Sequence, residues 1–271
     1  MKLLFQSDDY GFTDAVTDGI IKGIQEGIIR NTGLFVNMPS SQRAANLIKN
    51  IEGISVGIDI NLVAGYPITK DKIKITSLIR EDGHFIPSTV QMKKMRKEGN
   101  QHSIEQMFDV DPYDYEEVLL ETENQVLRFI ELMGRKPDYI HPHSLVTKNS
   151  IQALMEIAKK YELVFSGKAM RNDKIHMIPC DWTPKPFPIS EQVNTQVEDK
   201  LLTALENSLE HEIAYFICHC GYVDSALLYE STYSIIRCKD LEAATSSKIK
   251  EFIKENKIEL INYNDIKEII I

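Results

Sequence analysis

Residues 2–12 read KLLFQSDDYGF, and this stretch gives the first indication of the fold. Its first half, Lys2–Gln6, is short and mostly apolar, which is typical of a strand in a parallel sheet. Two carboxylates, Asp8 and Asp9, follow this strand directly. Because barrels of parallel strands place their catalytic groups at the carboxyl ends of the strands, the stretch predicts a first strand with a polar site at its end.

Short β-rich runs alternate with helical patterns along most of the chain. The predicted strands are Lys2–Gln6, Gly33–Asn37, Ser55–Leu62, Tyr139–His143, Val164–Ser166, Ile175–Ile178, Ala214–Cys218 and Ile258–Ile261. The predicted helices are Ala15–Gln25, Gln42–Lys49, Tyr113–Met133, Ile151–Tyr161, Val197–Leu209 and Leu241–Glu255. This alternation is typical of a parallel sheet with helical connections. We therefore predict the α/β class and an irregular (β/α) barrel of about seven parallel strands.

One long segment, at about 63–112, interrupts the alternation and contains Pro67, Gly83 and Pro87. Long insertions between a strand and the next helix usually lie near the active face of a barrel. The sequence contains no internal repeat, low-complexity tract or linker that would mark a domain boundary. We therefore predict a single domain over residues 1–271 with an insertion at about 63–112.

The charge balance argues against two classes of partner. The chain has 31 Lys and Arg residues against 40 Asp and Glu residues, a formal net charge of −9. An acidic chain has no long-range attraction for nucleic acid or for an anionic membrane. The N-terminal residues lack the apolar core of a secretory signal, and reduced thiols are the simplest account of four cysteines outside any C-x-x-C pair. We expect a cytoplasmic protein with no nucleic-acid or membrane partner.

Histidines and carboxylates end several of the predicted strands. His141 and His143 are two residues apart, so on an extended chain both imidazoles face the same side. Asp59 and Asn61 have the same spacing on a strand whose other residues are mostly apolar. A carboxylate buried among apolar neighbours is costly without a cation or hydrogen-bond donors. These residues favour a site, and two hydrogen-bonded loop histidines are the alternative.

Three carboxylates at one edge of the sheet would repel one another. Asp8, Asp9 and Asp59 would raise each other's pKa unless protons or a divalent ion neutralised them. Because Asp8 and Asp9 are adjacent and point to opposite sides, one could bind a metal while the other acts on a water molecule. In the alternative interpretation, Asp8 caps the following turn and Asp9 is solvated.

His219 follows the late strand Ala214–Cys218. Histidine titrates near neutral pH and can give a proton to a leaving group, which predicts a general acid at this strand end. The alternative is a histidine whose hydrogen bonds are satisfied within the core.

Together these segments resemble the YdjC-like carbohydrate deacetylases, a family that includes chitooligosaccharide deacetylases and lies near the NodB-type polysaccharide deacetylases. The matching segments are Ser7–Phe12, Gly27–Thr32, Val36–Pro39, Val56–Leu62, His141–His143, Cys218–Asp224 and Ile258–Tyr263, with Arg237 and Leu241. They extend over nearly the whole chain. The resemblance implies a NodB-like barrel, often dimeric, that uses a divalent metal to remove acetyl groups from N-acetylated amino sugars or oligosaccharides.

The resemblance also implies roles for individual residues. Asp8 would be the general base and His219 the general acid. Asp9 and His143 would be metal ligands. The residues that would contact the substrate are Asn37, Asn61 and Arg237.

The sequence departs from the family pattern at two ligand positions. Asp59 stands where the family has a metal-binding histidine, and His141 falls at the aspartate of the family's Asp-x-His-x-His stretch. Either Asp59 or His141 would complete the metal site. An aspartate ligand favours harder ions, so we expect Mg²⁺, with Zn²⁺ or Mn²⁺ as alternatives. The alternative functions are another sugar or sugar-phosphate hydrolase on the same barrel, and a sugar-binding protein with weakened chemistry.

Overall fold

The computed structural model describes residues 1–95, 107–180, 182 and 187–270. Within these ranges, eight parallel strands form one sheet. The strands are β1 Lys2–Tyr10, β2 Asn31–Leu34, β3 Ser55–Ile60, β4 Tyr139–Pro142, β5 Val164–Phe165, β6 Ile175–Met177, β7 Ile213–Cys218 and β8 Glu259–Ile261. Their order is β5-β4-β3-β2-β1-β7-β6, and β8 pairs with the first residues of β1. The sheet curls into a half-barrel, which confirms the predicted α/β class.

Helices connect most of the successive strands. They are α1 Asp14–Glu26, α2 Ser41–Ile48, α3 Ser88–Gln91, α4 Tyr115–Met133, α5 Lys148–Tyr161, α6 Ser166–Ala169, α7 Ile189–Asn194, α8 Val197–Glu206, α9 Ser225–Glu230, α10 Ile236–Thr245, α11 Ser247–Glu255 and α12 Lys267–Ile270. Short 3₁₀ helices lie at Lys72–Ile75, Met92–Lys94 and Tyr263–Ile266. The prediction of one helix over Leu241–Glu255 was wrong in one respect, because the helix is broken at Ser246. The side chain of Ser246 accepts a hydrogen bond from the Ile249 N–H and caps α11.

The first strand runs four residues beyond its predicted end at Gln6. Asp8 and Asp9 therefore lie within β1 instead of after it. The pairing of β1 with β2 changes register between Ser7 and Tyr10, and Asp9 has a φ of 70°. An irregularity of this kind redirects side chains near the end of a strand, so it separates the directions of the two carboxylates.

The two faces of β1 enter different apolar clusters. Leu3 and Phe5 pack in the larger cluster with residues of the surrounding helices, and Leu4 packs in a second cluster with residues of other strands. Because side chains alternate along a strand, Gln6 and Asp8 continue the face of Leu4. The interior of the half-barrel thus changes from apolar to polar toward the carboxyl end of β1.

The predicted insertion at about 63–112 follows β3 and leads into α4. Its residues 96–106 lie outside the described ranges, and the single domain over 1–271 stays a prediction. In the described part of the chain, no helix has both the length and the apolar character that crossing a membrane requires.

Gly33 of β2 makes room for the carboxylate of Asp59. A Cβ atom on Gly33 would lie 1.7 Å from Asp59 Oδ1. We therefore expect Gly33→Ala to displace Asp59 and to reduce the free energy of unfolding by about 1–3 kcal/mol, the usual cost of overpacking. In an Asp59→Ala background the clash is absent, so the same substitution should cost much less. Urea unfolding of the wild type, the two single variants and the double variant measures this coupling, and additive effects would contradict it.

Candidate active site

Predicted site residues from three strands, of which β3 and β4 are neighbours and β1 is separated from β3 by β2, meet at the carboxyl edge of the sheet. Asp8 and Asp9 come from β1, Asp59 from β3, and His141 from β4, with His143 directly after β4. Asp59 and His141 are direct partners in the pairing of β3 with β4. All three carboxylates are buried. Their charges must therefore be balanced by other groups of the protein or by a bound cation.

Asp9 is fully buried and is held by two basic side chains. Its Oδ1 atom lies 2.8 Å from His143 Nδ1, and its Oδ2 atom accepts a hydrogen bond from Arg237 Nη2 at 2.6 Å. Its main-chain N–H donates to Asp59 Oδ2 at 2.9 Å. Burial acts to raise the pKa of Asp9, but His143 and Arg237 outweigh burial and hold this pKa well below its usual range. Asp9 is therefore ionised at neutral pH.

Asp8 has a different set of partners. Its Oδ2 atom lies 3.2 Å from His141 Nε2, and its Oδ1 atom accepts a hydrogen bond from the Gln6 amide. Burial acts to raise the pKa of Asp8, but its interactions with His141 lower this pKa overall. The amide of Gln6 is itself fixed, because its Oε1 atom accepts hydrogen bonds from the hydroxyls of Tyr215 and Tyr263 at 2.7 and 2.9 Å. Gln6 therefore presents its N–H to Asp8.

His141 uses both of its ring nitrogens inside the protein. Nε2 faces Asp8, and Nδ1 lies 2.8 Å from Ser166 Oγ. Burial lowers the pKa of His141, but Asp8 and Asp59 raise it overall to about 9. A histidine that binds a metal needs a neutral ring with a free nitrogen, and His141 has neither in this arrangement.

Asp59 is buried against Gly33. One carboxylate oxygen, Oδ2, accepts the N–H of Asp9, and the other, Oδ1, has no hydrogen-bond partner among the described residues. Burial, with the nearby charge of Asp8, holds the pKa of Asp59 well above its usual range. An isolated buried oxygen of this kind is stabilised by a proton or by a cation.

His219 follows β7 and is oriented by α10. Its main-chain N–H donates to Asp240 Oδ2 at 3.0 Å, and its ring contacts the Tyr233 ring edge-on at a centroid distance of 5.1 Å. Burial lowers the pKa of His219, Asp9 opposes this effect, and Arg237 adds to it. Burial raises the pKa of Asp240 to about 7, although the His219 N–H and Arg237 act in the opposite direction.

Arg237 is almost completely buried, and its guanidinium donates a hydrogen bond to Asp9. Its Nε atom donates to the carbonyl oxygen of Tyr233 at 2.9 Å, and its guanidinium lies 5.7 Å from the Phe12 ring and 5.6 Å from the Tyr233 ring. Nη1 has no hydrogen-bond partner among the described residues. Of the three residues expected to contact substrate, Arg237 thus lies in the site beside Asp9. Asn37 and Asn61 instead bond to each other and to the main chain after β3.

Three polar residues of the site were missed by the sequence analysis: Gln6, Ser166 and Asp240. Gln6 had a signal, because it is a polar residue in an apolar strand, two positions before Asp8 and on the same face. Asp240 also had a sequence signal, because it lies three residues after Arg237 and shares a helix face with Arg237 and with the apolar Leu241. Ser166 ends a predicted strand and carries no such pattern.

The carboxylates and the imidazole at this edge of the sheet are of the chemical type that binds divalent cations. Asp59 Oδ1 is a buried oxygen without a hydrogen-bond partner among the described residues, and Asp9 Oδ1 lies 2.8 Å from His143 Nδ1. Carboxylate oxygens and a neutral imidazole are ordinary ligands of such ions. In the described residues no three of these side chains already converge on one point, so binding requires the third ligand to turn toward Asp9 and His143.

Comparisons with known proteins place this chain in a family. The model of the YdjC-like protein family matches residues 2–255. A carbohydrate deacetylase of Clostridium beijerinckii is 30% identical over 270 residues, which are 98% of this chain and 100% of the relative. A proposed cellobiose-phosphate cleavage protein of Enterococcus faecalis V583 has a similar structure, with a TM-score of 0.76, 23% identity and 98% of each chain covered.

A more distant structure shares the fold alone. It is a family 4 acetyl xylan esterase of Clostridium thermocellum in complex with a cobalt ion, with a TM-score of 0.50, 9% identity, and 99% of this chain and 91% of that chain covered. Because the family model covers nearly all of the sequence and the Clostridium beijerinckii relative matches over its full length, this chain belongs to the YdjC-like protein family.

Proposed function

We propose that this carbohydrate deacetylase homologue hydrolyses the acetamide of an N-acetylated amino sugar and depends on a divalent metal. The observation that carries the proposal is that two adjacent carboxylates have different partners. Asp8 is held by Gln6 and His141, and Asp9 is held by His143 and Arg237. Different partners give neighbouring carboxylates different roles, which is what a base beside a metal ligand requires. Full-length relatives named carbohydrate deacetylase support the reaction class.

Asp9 and His143 would hold the metal, and Asp59 would be the third ligand. When bound, the ion would act as a Lewis acid toward the acetyl carbonyl and would lower the pKa of water. We propose Mg²⁺ because two of the three ligands are carboxylates, with Zn²⁺ or Mn²⁺ as alternatives. The cobalt ion in the clostridial esterase supports a divalent ion on this fold.

Asp8 would take the proton of the attacking water. Its carboxylate is ionised because His141 lowers its pKa, and Gln6 fixes its orientation. His219 would give a proton to the sugar nitrogen, because an amine is a poor leaving group until it is protonated. The Asp240 carboxylate holds the main chain of His219 in place for this transfer. A homodimer stays a prediction from the family resemblance.

A metal-free glycosidase is the competing hydrolase, and chelation distinguishes the two. The protein should release acetate from N-acetylglucosamine or from its β-1,4-linked dimer, with no cleavage of the glycosidic bond. Treatment with EDTA should abolish acetate release, and Mg²⁺ should restore it. Enzymatic acetate measurement with sugar chromatography records both products. Glycosidic cleavage that resists EDTA would overturn the proposal.

Asp8→Asn should reduce kcat by about 10²–10⁴, the usual contribution of a general base. The amide keeps an oxygen that can accept the Gln6 hydrogen bond, but it cannot take a proton. Metal content should stay at the wild-type level. Asp9→Asn is the matched control, and it should lower metal content as well as turnover. Atomic absorption and acetate release measure the two effects, and a metal-free Asp8→Asn protein would show that the two aspartates have the opposite roles.

Asp59→His should move metal preference toward Zn²⁺, because it replaces a carboxylate ligand by an imidazole. Asp59→Asn is the matched control for charge, and it should weaken the binding of both Zn²⁺ and Mg²⁺. Calorimetric titration of each variant with each ion gives the ratio of affinities independently of turnover. An unchanged ratio in Asp59→His would remove Asp59 from the ligand set.

A further inference from the structure

A second organised region lies at the same edge of the sheet as the candidate active site. We name it the rim segment and define it as Asn61–Thr69, the chain that leaves β3. Asn61 Oδ1 accepts hydrogen bonds from two main-chain N–H groups of the segment, and Asn61 Nδ2 donates to Asn37 Oδ1. Asn37 Nδ2 in turn donates to the carbonyl oxygens of Ala64 and Tyr66, each at 3.0 Å. The two asparagine amides therefore shape the rim segment.

Helix α4 fixes the same segment from the other side. Gln125 accepts the N–H of Asn61 at 3.1 Å and donates to the carbonyl oxygen of Asn61 at 2.7 Å. The carboxylate of Glu121 is fully buried and accepts the N–H groups of Ile68 and Thr69, each at 2.9 Å. Buried polar groups are costly unless they are bonded, and a satisfied network of them is rigid. The main chain of the rim segment is thus held in one conformation.

Tyr66 projects from this fixed segment and is 51% exposed. Its ring stacks on His84 with the ring centroids 3.8 Å apart. The main-chain N–H of His84 donates in turn to Asp82 Oδ1 at 3.0 Å. The N–H of Phe85 donates to the carbonyl oxygen of Gly65 at 3.0 Å and joins this turn to the rim segment. Because Lys72 Nζ also lies 5.6 Å from the centroid of this ring, Tyr66 is contacted by His84 and Lys72 and is half open to solvent.

The rim segment starts beside the catalytic groups. Asn61 is two residues beyond Asp59 on the same chain. Asn37 is two residues beyond Phe35, whose ring lies edge-on against His143 at a centroid distance of 4.7 Å. Because Asn37 and Asn61 bond to each other, the segment that carries Tyr66 is anchored to both β2 and β3 at the edge where Asp9 and His143 meet.

We propose that the exposed ring of Tyr66 is a sugar-binding subsite that packs against a pyranose ring of the substrate. An aromatic ring buries a large apolar area with little loss of conformational freedom, and a pyranose presents faces of C–H groups that suit it. The fixed main chain and the support by His84 keep the ring in position before the sugar binds, which reduces the entropy lost on binding. This inference rests on the proposed deacetylase function, because it assigns the ligand of that same edge to carbohydrate.

Tyr66→Ala tests the subsite. With the β-1,4-linked dimer of N-acetylglucosamine, the variant should have a KM about tenfold higher and a kcat within about twofold of wild type, because the lost contact binds ground state and transition state equally. Tyr66→Phe keeps the ring and should behave as wild type. Tyr229→Ala removes a tyrosine that is 87% exposed on α9, and it should also leave KM unchanged. Thermal unfolding of each variant checks that the fold is retained.

Direct binding separates this inference from the proposed reaction. Saturation-transfer NMR with the same dimer should show sugar bound to wild type and to Tyr66→Phe, and much weaker binding to Tyr66→Ala. Equal binding and equal KM for wild type and Tyr66→Ala would overturn the subsite while acetate release upheld the deacetylase. Sugar binding that depends on Tyr66 without any acetate release would uphold the subsite and overturn the deacetylase. Absence of both binding and turnover in wild type would overturn both.

Discussion

The carboxylate of Asp9 is completely buried at the end of the central strand, and its charge has to be balanced inside the protein. Arg237, 228 residues later in the chain, supplies one balancing charge through α10. Removing one partner of such a buried pair typically costs about 3–5 kcal/mol, because the other charge stays buried and unpaired. The pair therefore ties the first strand to a helix near the end of the chain. It also fixes Tyr233 and α10, which in turn position His219 and Asp240.

The same edge of the sheet keeps two adjacent carboxylates chemically distinct. The irregularity in β1 at Asp9 turns its side chain toward His143, and Asp8 stays on the interior face with Gln6 and His141. The pKa of each carboxylate is thereby lowered by a separate set of partners. Two carboxylates that shared one environment would compete for one proton instead. Local backbone geometry therefore gives the two aspartates different partners.

Periodicity and strand ends were sufficient to predict the parallel sheet and the edge at which the site lies. Asp8, Asp9, Asp59, His141 and His143 were named as candidates because carboxylates and histidines on parallel strands gather at the carboxyl edge of the sheet, and the structure brings them close together there. The sequence pointed to Asn37 and Asn61 but could not predict their contacts. An asparagine that shapes a loop and an asparagine that binds sugar have the same sequence signal. The length of β1 was underestimated because carboxylates in a buried strand are unfavourable until partners are present. Two of those partners, Gln6 and Arg237, were not recognisable as such, because Gln6 carries a weak pattern and Arg237 is distant in sequence.

The two departures from the family pattern lie next to each other in the structure. The resemblance places a histidine at position 59 and an aspartate at position 141, and this chain has Asp59 and His141, which are direct partners across β3 and β4. The exchange keeps one acid and one imidazole at the same place in the sheet. It moves the imidazole to the strand where Asp8 and Ser166 occupy both of its nitrogens. Among the described residues, the oxygen left without a hydrogen-bond partner is then Asp59 Oδ1, so the exchange leaves a carboxylate oxygen unsatisfied at this place in the sheet.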